Sequence, residues 1–400
     1  MEEWNQYRLI DILDTLIDYR GKTPKKTISG VPLITAKIIK NGRIETPTEF
    51  ISFDDYYSWM VRGFPKVGDV VLTTEAPLGE VAQLNDDNIA LAQRVVTLRG
   101  KNGILDNTYL KYFFLSHVGQ QRLKARETGT TVTGIKQSEL REVVVDTPPY
   151  DIQVKISSIL KSLDDKIEVN RRLNENLEQQ AQALFKSWFV DYEPFKNGEF
   201  VESELGMIPK GWRVGCFIDL INVMPGGTPS TNISEYWDNA TIPFFSPKDA
   251  HGVYCFDTEK HITEKGLNNC SSHLYPKDTL FITARGTVGK ISLAAVPMAM
   301  NQSNYALVAK DGIGKFYLYL LAQTIVSILL KKANGAVFSA ITTKDFKENI
   351  VCPSSVVISQ FEEMVKPMFD SIHALMNESL RLAELRDTLL PKLMSGELKL

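Results

Sequence analysis

The sequence predicts an α+β protein in which two similar globular α/β units alternate with two long helices. The helices pair as an antiparallel coiled coil, and an internal pseudo-twofold repeat relates the halves. Three observations predict this. Short segments in the second half of the 400-residue chain repeat those of the first in the same order. The opening part of each copy is rich in strand and turn signals. The closing part of each carries apolar residues at three- and four-residue steps.

The repeat has an offset of 205 (Tyr7 to Trp212) that grows to 211 (Pro32 to Pro243). Gly21-Lys-Thr-Pro24 falls on Gly226-Gly-Thr-Pro229, and the apolar run after Pro32 falls on the run after Pro243. Pro65-Lys66 with Asp69 matches Pro276-Lys277 with Asp278. Leu78-Gly79 lies on Val288-Gly289, Gln93 on Gln302, Tyr112 on Tyr319, Gly129–Ile135 on Gly335–Ile341, and Gln153 on Gln360. The globular units are assigned to 1–150 and 212–355, the long helices to 151–190 and 356–400, and 191–211 is a connector. The β-branched runs Val70–Thr74 and Thr279–Thr283, set between Gly, Pro and Asp, are the strongest strand signals.

The first stripe is Ile152, Ile156, Ile159, Leu163, Ile167, Asn170, Leu173, Leu177 and Leu184; the second is Phe361, Val365, Met368, Ile372, Leu375, Ser379, Leu382 and Leu389. One such stripe is ordinarily a helix packed on its own domain. Two at matching places in a repeat predict helices of about 30 to 35 residues that cover each other. Asn170 and Ser379 in the seam either fix its register or sit solvated.

Composition narrows the function classes. Hydrophobic residues make up 44% and charged residues 23%, enough for two or three globular domains with real cores. The formal net charge of −3 lacks the basic excess of a protein that grips nucleic acid by charge alone. Cys216, Cys255, Cys270 and Cys352 have neither zinc nor redox spacing and read as reduced thiols. The histidines, His117, His251, His261, His273 and His373, are scattered without metal spacing. Met1-Glu2-Glu3 lacks the basic start of a secretory signal, and the most apolar run, Phe316–Leu330, is broken by Gln323, Thr324 and Ser327. A cytoplasmic location is expected.

Catalytic signals fail on inspection. Thr147-Pro-Pro-Tyr150 is similar to the loop with which N6-adenine methyltransferases hold a flipped base, but Thr147 stands where that loop has Asp, Asn or Ser, and no Gly-rich loop follows a strand upstream. Gly286-Thr-Val-Gly-Lys290 lacks the spacing of a phosphate-binding loop. No catalytic residues and no metal are assigned.

Two stretches carry a family resemblance over the whole chain. NENLEQQAQALFKSWFVDYEP, from Asn174 to Pro194, continues to SELGMIPKGW, from Ser203 to Trp212, and the chain closes with LRDTLLPKLMSGEL, from Leu385 to Leu398. These strings resemble the central and distal conserved regions of the specificity subunits of type I restriction-modification enzymes. The resemblance implies two target recognition domains, each reading half of a split double-stranded DNA sequence. It also implies helices that set the separation and dock two methyltransferase subunits, with restriction (motor-nuclease) subunits recruited as well. This chain would then be non-catalytic and bind no cofactor. S-adenosylmethionine, ATP and magnesium would sit on partner subunits, which supply N6-adenine methylation and ATP-dependent cleavage. The competing reading, favoured by the near-neutral charge, is a coiled-coil scaffold whose units bind protein and have no DNA specificity.

Phosphate contacts come from basic and amide groups on loops, and base edges are read by Arg, Gln and Asn. In the first unit the candidates are Arg20, Lys22, Lys25, Lys26, Lys37, Gln93, Arg94, Thr130, Thr131 and Lys136; in the second they are Lys248, Arg285, Lys290, Asn301 and Gln302. A solvated basic face is the alternative for the first set. Arg285 begins a turn after a strand, where it either meets guanine or forms an ion pair, while Glu75 stands at the matching turn of the first unit. Phe185, Trp188 and Phe189 at the exit of the first long helix are the candidate methyltransferase-docking residues, unless they pack within the chain.

Overall fold

The computed structural model describes residues 4–129, 133–332 and 340–400. The chain separates into two compact units, Met1–Ile167 with Arg381–Leu400, and Glu168–Leu380, so the division falls within both long helices rather than at their ends.

In the first unit a four-stranded antiparallel sheet runs in the order Leu13–Asp18, Val95–Gly100, Val70–Thr74, Leu78–Gln83. Every residue of Val70–Thr74 is buried, which explains a continuous apolar run where a half-exposed strand would alternate. A smaller sheet pairs Val31–Ile34 antiparallel with Phe50–Ile51 and parallel with Ala90–Leu91. Asn5–Arg8 pairs with Val144–Thr147, so the Thr-Pro-Pro-Tyr segment is the end of a strand, with Thr147 buried, entering a helix at Tyr150.

The second unit repeats this strand for strand. Ile221–Pro225, Asn304–Ala309, Leu280–Thr283 and Ile291–Ala294 follow the same order, with Tyr254–Cys255 added at the edge. Ile242–Phe245 pairs with His261–Ile262 and, in parallel, with Ala299–Met300. Arg213–Cys216 pairs with Asn349–Cys352. The apolar run near 316 is the helix Lys315–Lys332, whose Phe316–Ala322 segment is wholly buried in the core. Among the described residues no helix is long and apolar enough to cross a membrane.

The long helices are Tyr150–Phe189 and Ser355–Met394, 40 residues each, longer than expected because apolar contact continues to Leu393 and Met394. They start 205 residues apart (355 − 150). That corrects the pairing of Gln153 with Gln360. Gln153 is buried, accepts from the Asp106 amide at 2.9 Å and donates to the Ile104 and Pro148 carbonyls, whereas Gln360 is exposed. At the 205 offset Ser157 matches Glu362, and each serves the start of a helix earlier in its own unit. Ser157 holds Asp106, the N-cap of Asn107–Leu115; Glu362 accepts the Phe316 and Tyr317 amides at the start of Lys315–Lys332. Burial pushes the Glu362 carboxyl up, and these amide bonds oppose that rise.

In the second unit the two long helices run antiparallel. Phe189 meets Phe361 at 4.9 Å between ring centroids, and further along Asn170, fully buried, donates to Glu378 at 2.7 Å and to Ser379 at 3.3 Å. Asn170 is therefore a seam residue rather than a solvated one. Leu173 departs from the expected stripe and is 46% exposed. An apolar stripe spaced at 3.5 drifts by about 20° per heptad around a straight helix. At this level the inward position has passed to Asn174, whose Oδ1 is enclosed.

Candidate nucleic-acid interface

In each unit the central hairpin turn is built by a buried threonine at the end of a strand. Thr73 donates its hydroxyl to the Pro77 carbonyl at 2.7 Å and accepts the Glu80 amide at 2.9 Å. Thr283 does the same with the Thr287 carbonyl and the Lys290 amide. Neither threonine has room for water, so the bonds fix the turn from inside.

The residue that leaves the second turn is pinned on both sides. The amides of Ala284 and Arg285 donate to the Ser303 carbonyl at 2.8 and 3.1 Å, Ile341 donates to the Ala284 carbonyl, and Arg285 bridges Ala340. The Arg285 side chain is exposed and has no partner among the described residues. Beside it stand Lys290, also exposed, and Gln302, which follows the strand Ala299–Met300. The Lys248 loop reaches the same turn through a bond from Thr287 to the Pro247 carbonyl, and Lys248 forms an exposed pair with Glu259 at 3.2 Å. These segments meet at one end of the sheet. Asn301 is a partial correction: its side-chain oxygen accepts from Ser303 and Asn304 at 3.0 and 2.7 Å and is spent within its own loop.

The first unit has the same frame with different charges. Thr74 donates to the Arg94 carbonyl, Ile135 donates to Thr74, and Glu75 bridges Gly134. Glu75 is paired with Arg94 at 2.8 Å, where the second unit has Arg285 opposite Ser303 with no side-chain partner among the described residues. Glu80, matching Lys290, accepts the Asn41 amide. Lys22, Lys25, Lys37 and Lys136 are exposed, and Lys26 pairs with Glu49 at 2.8 Å. Arg20 is a second correction. It donates to the Ile135 carbonyl at 2.8 Å and lies 3.4 Å from Asp18, while its Nε and Nη2 are enclosed, so it ties the loop rather than facing outward. Thr130 and Thr131 lie outside the described residues.

The sequence reading missed two residues. Thr23 donates to the Gln93 side-chain carbonyl at 3.1 Å, and Thr228 donates to that of Gln302. Their signal in the sequence is the repeated Gly-x-Thr-Pro segment, which puts a threonine at the same place in both halves.

The aromatic cluster also needs correction. Phe185 and Phe189 are buried in the core of the second unit against Tyr317 and Phe361, so those rings cannot enter a groove on another protein. Trp188 is half-buried against Phe195 and Phe361 and remains partly exposed. All four cysteines are free, and burial pushes the Cys255 thiol up to about 12, which leaves it unreactive. Among the described residues no group of His, Cys, Asp and Glu could hold a metal ion.

Comparison with known proteins identifies relatives of this arrangement. A family model described as "Type I restriction modification DNA specificity domain" matches residues 1–179 and 209–353. The specificity subunit of type I restriction enzyme MjaIX from Methanocaldococcus jannaschii is 30% identical over 414 residues, covering 100% of this chain and 94% of the relative. The HindI specificity subunit from Haemophilus influenzae is 26% identical over 376 residues, covering 78% of this chain and 82% of the relative. The crystal structure of a type I restriction-modification system S subunit from M. genitalium superposes with a TM-score of 0.61 at 17% identity, covering 98% and 96% of the two chains, and so shares the fold.

Proposed function

The chain belongs to the family of type I restriction-modification specificity subunits, and from that premise we propose that each of its two units reads one half of a bipartite double-stranded DNA target. One observation carries the reading: two units with the same strand order and the same threonine-locked turn place different side chains at matching positions, Glu75 against Arg285 and Glu80 against Lys290. A duplicated frame with divergent tips suits two elements of different sequence. The paired helices hold the two readers in one chain and dock two methyltransferase subunits, with the partly exposed Trp188 the remaining aromatic candidate for that contact. Restriction subunits join the same assembly. Catalysis lies with these partners, which hold S-adenosylmethionine, ATP and magnesium, and the DNA substrate places the work in the cytoplasm.

The test is methylome sequencing of a host carrying this subunit with its cognate methyltransferase, against a host lacking the subunit. A bipartite N6-methyladenine motif that depends on the subunit is expected. Exchanging residues 1–150 for those of a relative should change one half-site only. A methyltransferase that is active with another specificity subunit but gives no new motif with this one would favour the protein-binding scaffold, the reading that the net charge of −3 supports.

Within that reading Arg285→Ala should cost about 1–3 kcal/mol of discrimination at one base pair of the second half-site. Binding to duplexes altered one base pair at a time measures this. An equal loss across all duplexes would assign Arg285 to phosphate instead.

A further inference from the structure

We propose that the Thr23–Gln93 and Thr228–Gln302 pairs are matched phosphate anchors, one in each unit, which position the DNA backbone while neighbouring side chains read bases. The inference rests on the DNA-reading function proposed above and assigns a role within it.

In both units a threonine hydroxyl donates to the glutamine side-chain carbonyl. That bond fixes the orientation of the amide. The carbonyl is engaged by the protein, and the NH2 group is left as an outward donor with no partner among the described residues. Adenine recognition by glutamine needs the carbonyl and the NH2 together, on the N6 and N7 edges. An amide committed in this way suits a target that only accepts, and the phosphate oxygens are the acceptors of that kind along both strands.

The loop that carries Thr228 is held in place. A Cβ at Gly226 would lie 2.0 Å from the Asn301 carbonyl oxygen, so only glycine lets the Thr228 loop lie against the segment that bears Gln302. The Gly227 amide donates to the Met300 carbonyl at 3.2 Å. Both glutamines directly follow the parallel-paired strand of the small sheet, two residues after Leu91 and two after Met300.

The repeat itself separates the two roles. Positions that differ between the units, Glu75 and Arg285 or Glu80 and Lys290, suit the part of the target that differs between half-sites. The threonine–glutamine pair is the same in both, and the sugar–phosphate backbone is the part of the target that both half-sites share.

The experiment uses the complex of this chain with its methyltransferase and a duplex carrying the motif recovered by methylome sequencing. Gln93→Ala and Gln302→Ala should each weaken binding roughly tenfold, as expected for a lost hydrogen bond to a charged group, equally for matched duplexes and for those altered at single base pairs. Gln302→Lys, which still donates to phosphate, should bind at least as well as the unaltered chain and methylate the same motif. Thr228→Val should reproduce part of the Gln302→Ala loss. A changed base preference in Gln302→Lys, or unchanged affinity in both alanine variants, would overturn the proposal. If the unaltered complex itself shows no sequence-dependent binding, the underlying function fails instead, and the two failures are distinct.

Discussion

Asp164→Ala is expected to destabilise the first unit by about 3–5 kcal/mol, because it leaves the buried Lys111 ammonium without a counter-charge and takes one of two carboxylate partners from Arg386. Asp164 lies on the long helix Tyr150–Phe189, and its Oδ2 accepts from Lys111 Nζ at 2.9 Å and from the Tyr112 hydroxyl at 2.6 Å. Its Oδ1 accepts from Arg386 at 2.8 Å. Lys111 is 7% exposed and Tyr112 is fully buried. Burial alone would raise the Asp164 carboxyl, but Lys111, the Tyr112 hydroxyl and Arg386 outweigh it and hold the group below the usual carboxylate range. A carboxyl with a lowered folded pKa contributes stability that is present above its unfolded pKa, near 3.8, and is lost as pH falls through the folded value. Urea unfolding, with hydrogen exchange of the Asn107–Leu115 amides to localise the effect, measures the change. Asp164→Asn should fall between the alanine variant and the unaltered chain, since it keeps acceptor geometry without charge. A loss below about 1 kcal/mol for the alanine variant would show that the cations find water when the carboxylate is removed.

That cluster marks where the sequence stops being legible. Its members lie 53 and 222 residues apart, and no local period joins them. The elements that could be read have short-range causes. Val70–Thr74 announces itself by a β-branched run, and the long helices by their apolar period. The order of parts follows from the repeat, because two copies of one pattern reinforce a signal too weak in either alone. The candidate interface was legible as a set of segments but not as a set of side chains. Arg20 and Asn301 have the composition of nucleic-acid contacts, yet one Arg20 nitrogen is held by the Ile135 carbonyl and the Asn301 side-chain oxygen by Ser303 and Asn304, groups that only the folded chain brings near. The Thr23 and Thr228 hydroxyls were passed over because threonine in a Gly-Pro loop is ordinary, and their meaning appears only with the glutamine that each one meets. Phe185 and Phe189 show the same limit for apolar residues, since an aromatic at a helix exit is compatible with a partner's groove or with its own core. Here the core takes both rings.

Phe361→Ala should carry the other large cost, about 3–5 kcal/mol, and it should fall on the second unit. Phe361 is fully buried on the helix Ser355–Met394 and meets four rings from two other helices. Phe189 lies 4.9 Å away between centroids, Trp188 5.7 Å and Phe185 6.0 Å, all on the first long helix, while Tyr317 of Lys315–Lys332 lies at 6.4 Å. Truncation removes the ring around which both long helices and the globular part of this unit meet, and edge-to-face contacts such as that with Phe189 are lost in addition to buried area. Four bulky neighbours cannot close such a void without leaving their own contacts, which places the cost at the upper end of the range for core truncation. Phe361→Leu should lose clearly less, because most of the volume is retained, and Leu173→Ala, on an exposed part of the same helix system, should stay within about 0.5 kcal/mol of the unaltered chain. Urea unfolding followed by hydrogen exchange in Lys315–Lys332 ranks the three. If Phe361→Ala and Leu173→Ala were equally mild, the aromatic cluster would not be what joins the second unit to its helices. Phe185 and Phe189 would then again be open to a role at a partner's surface.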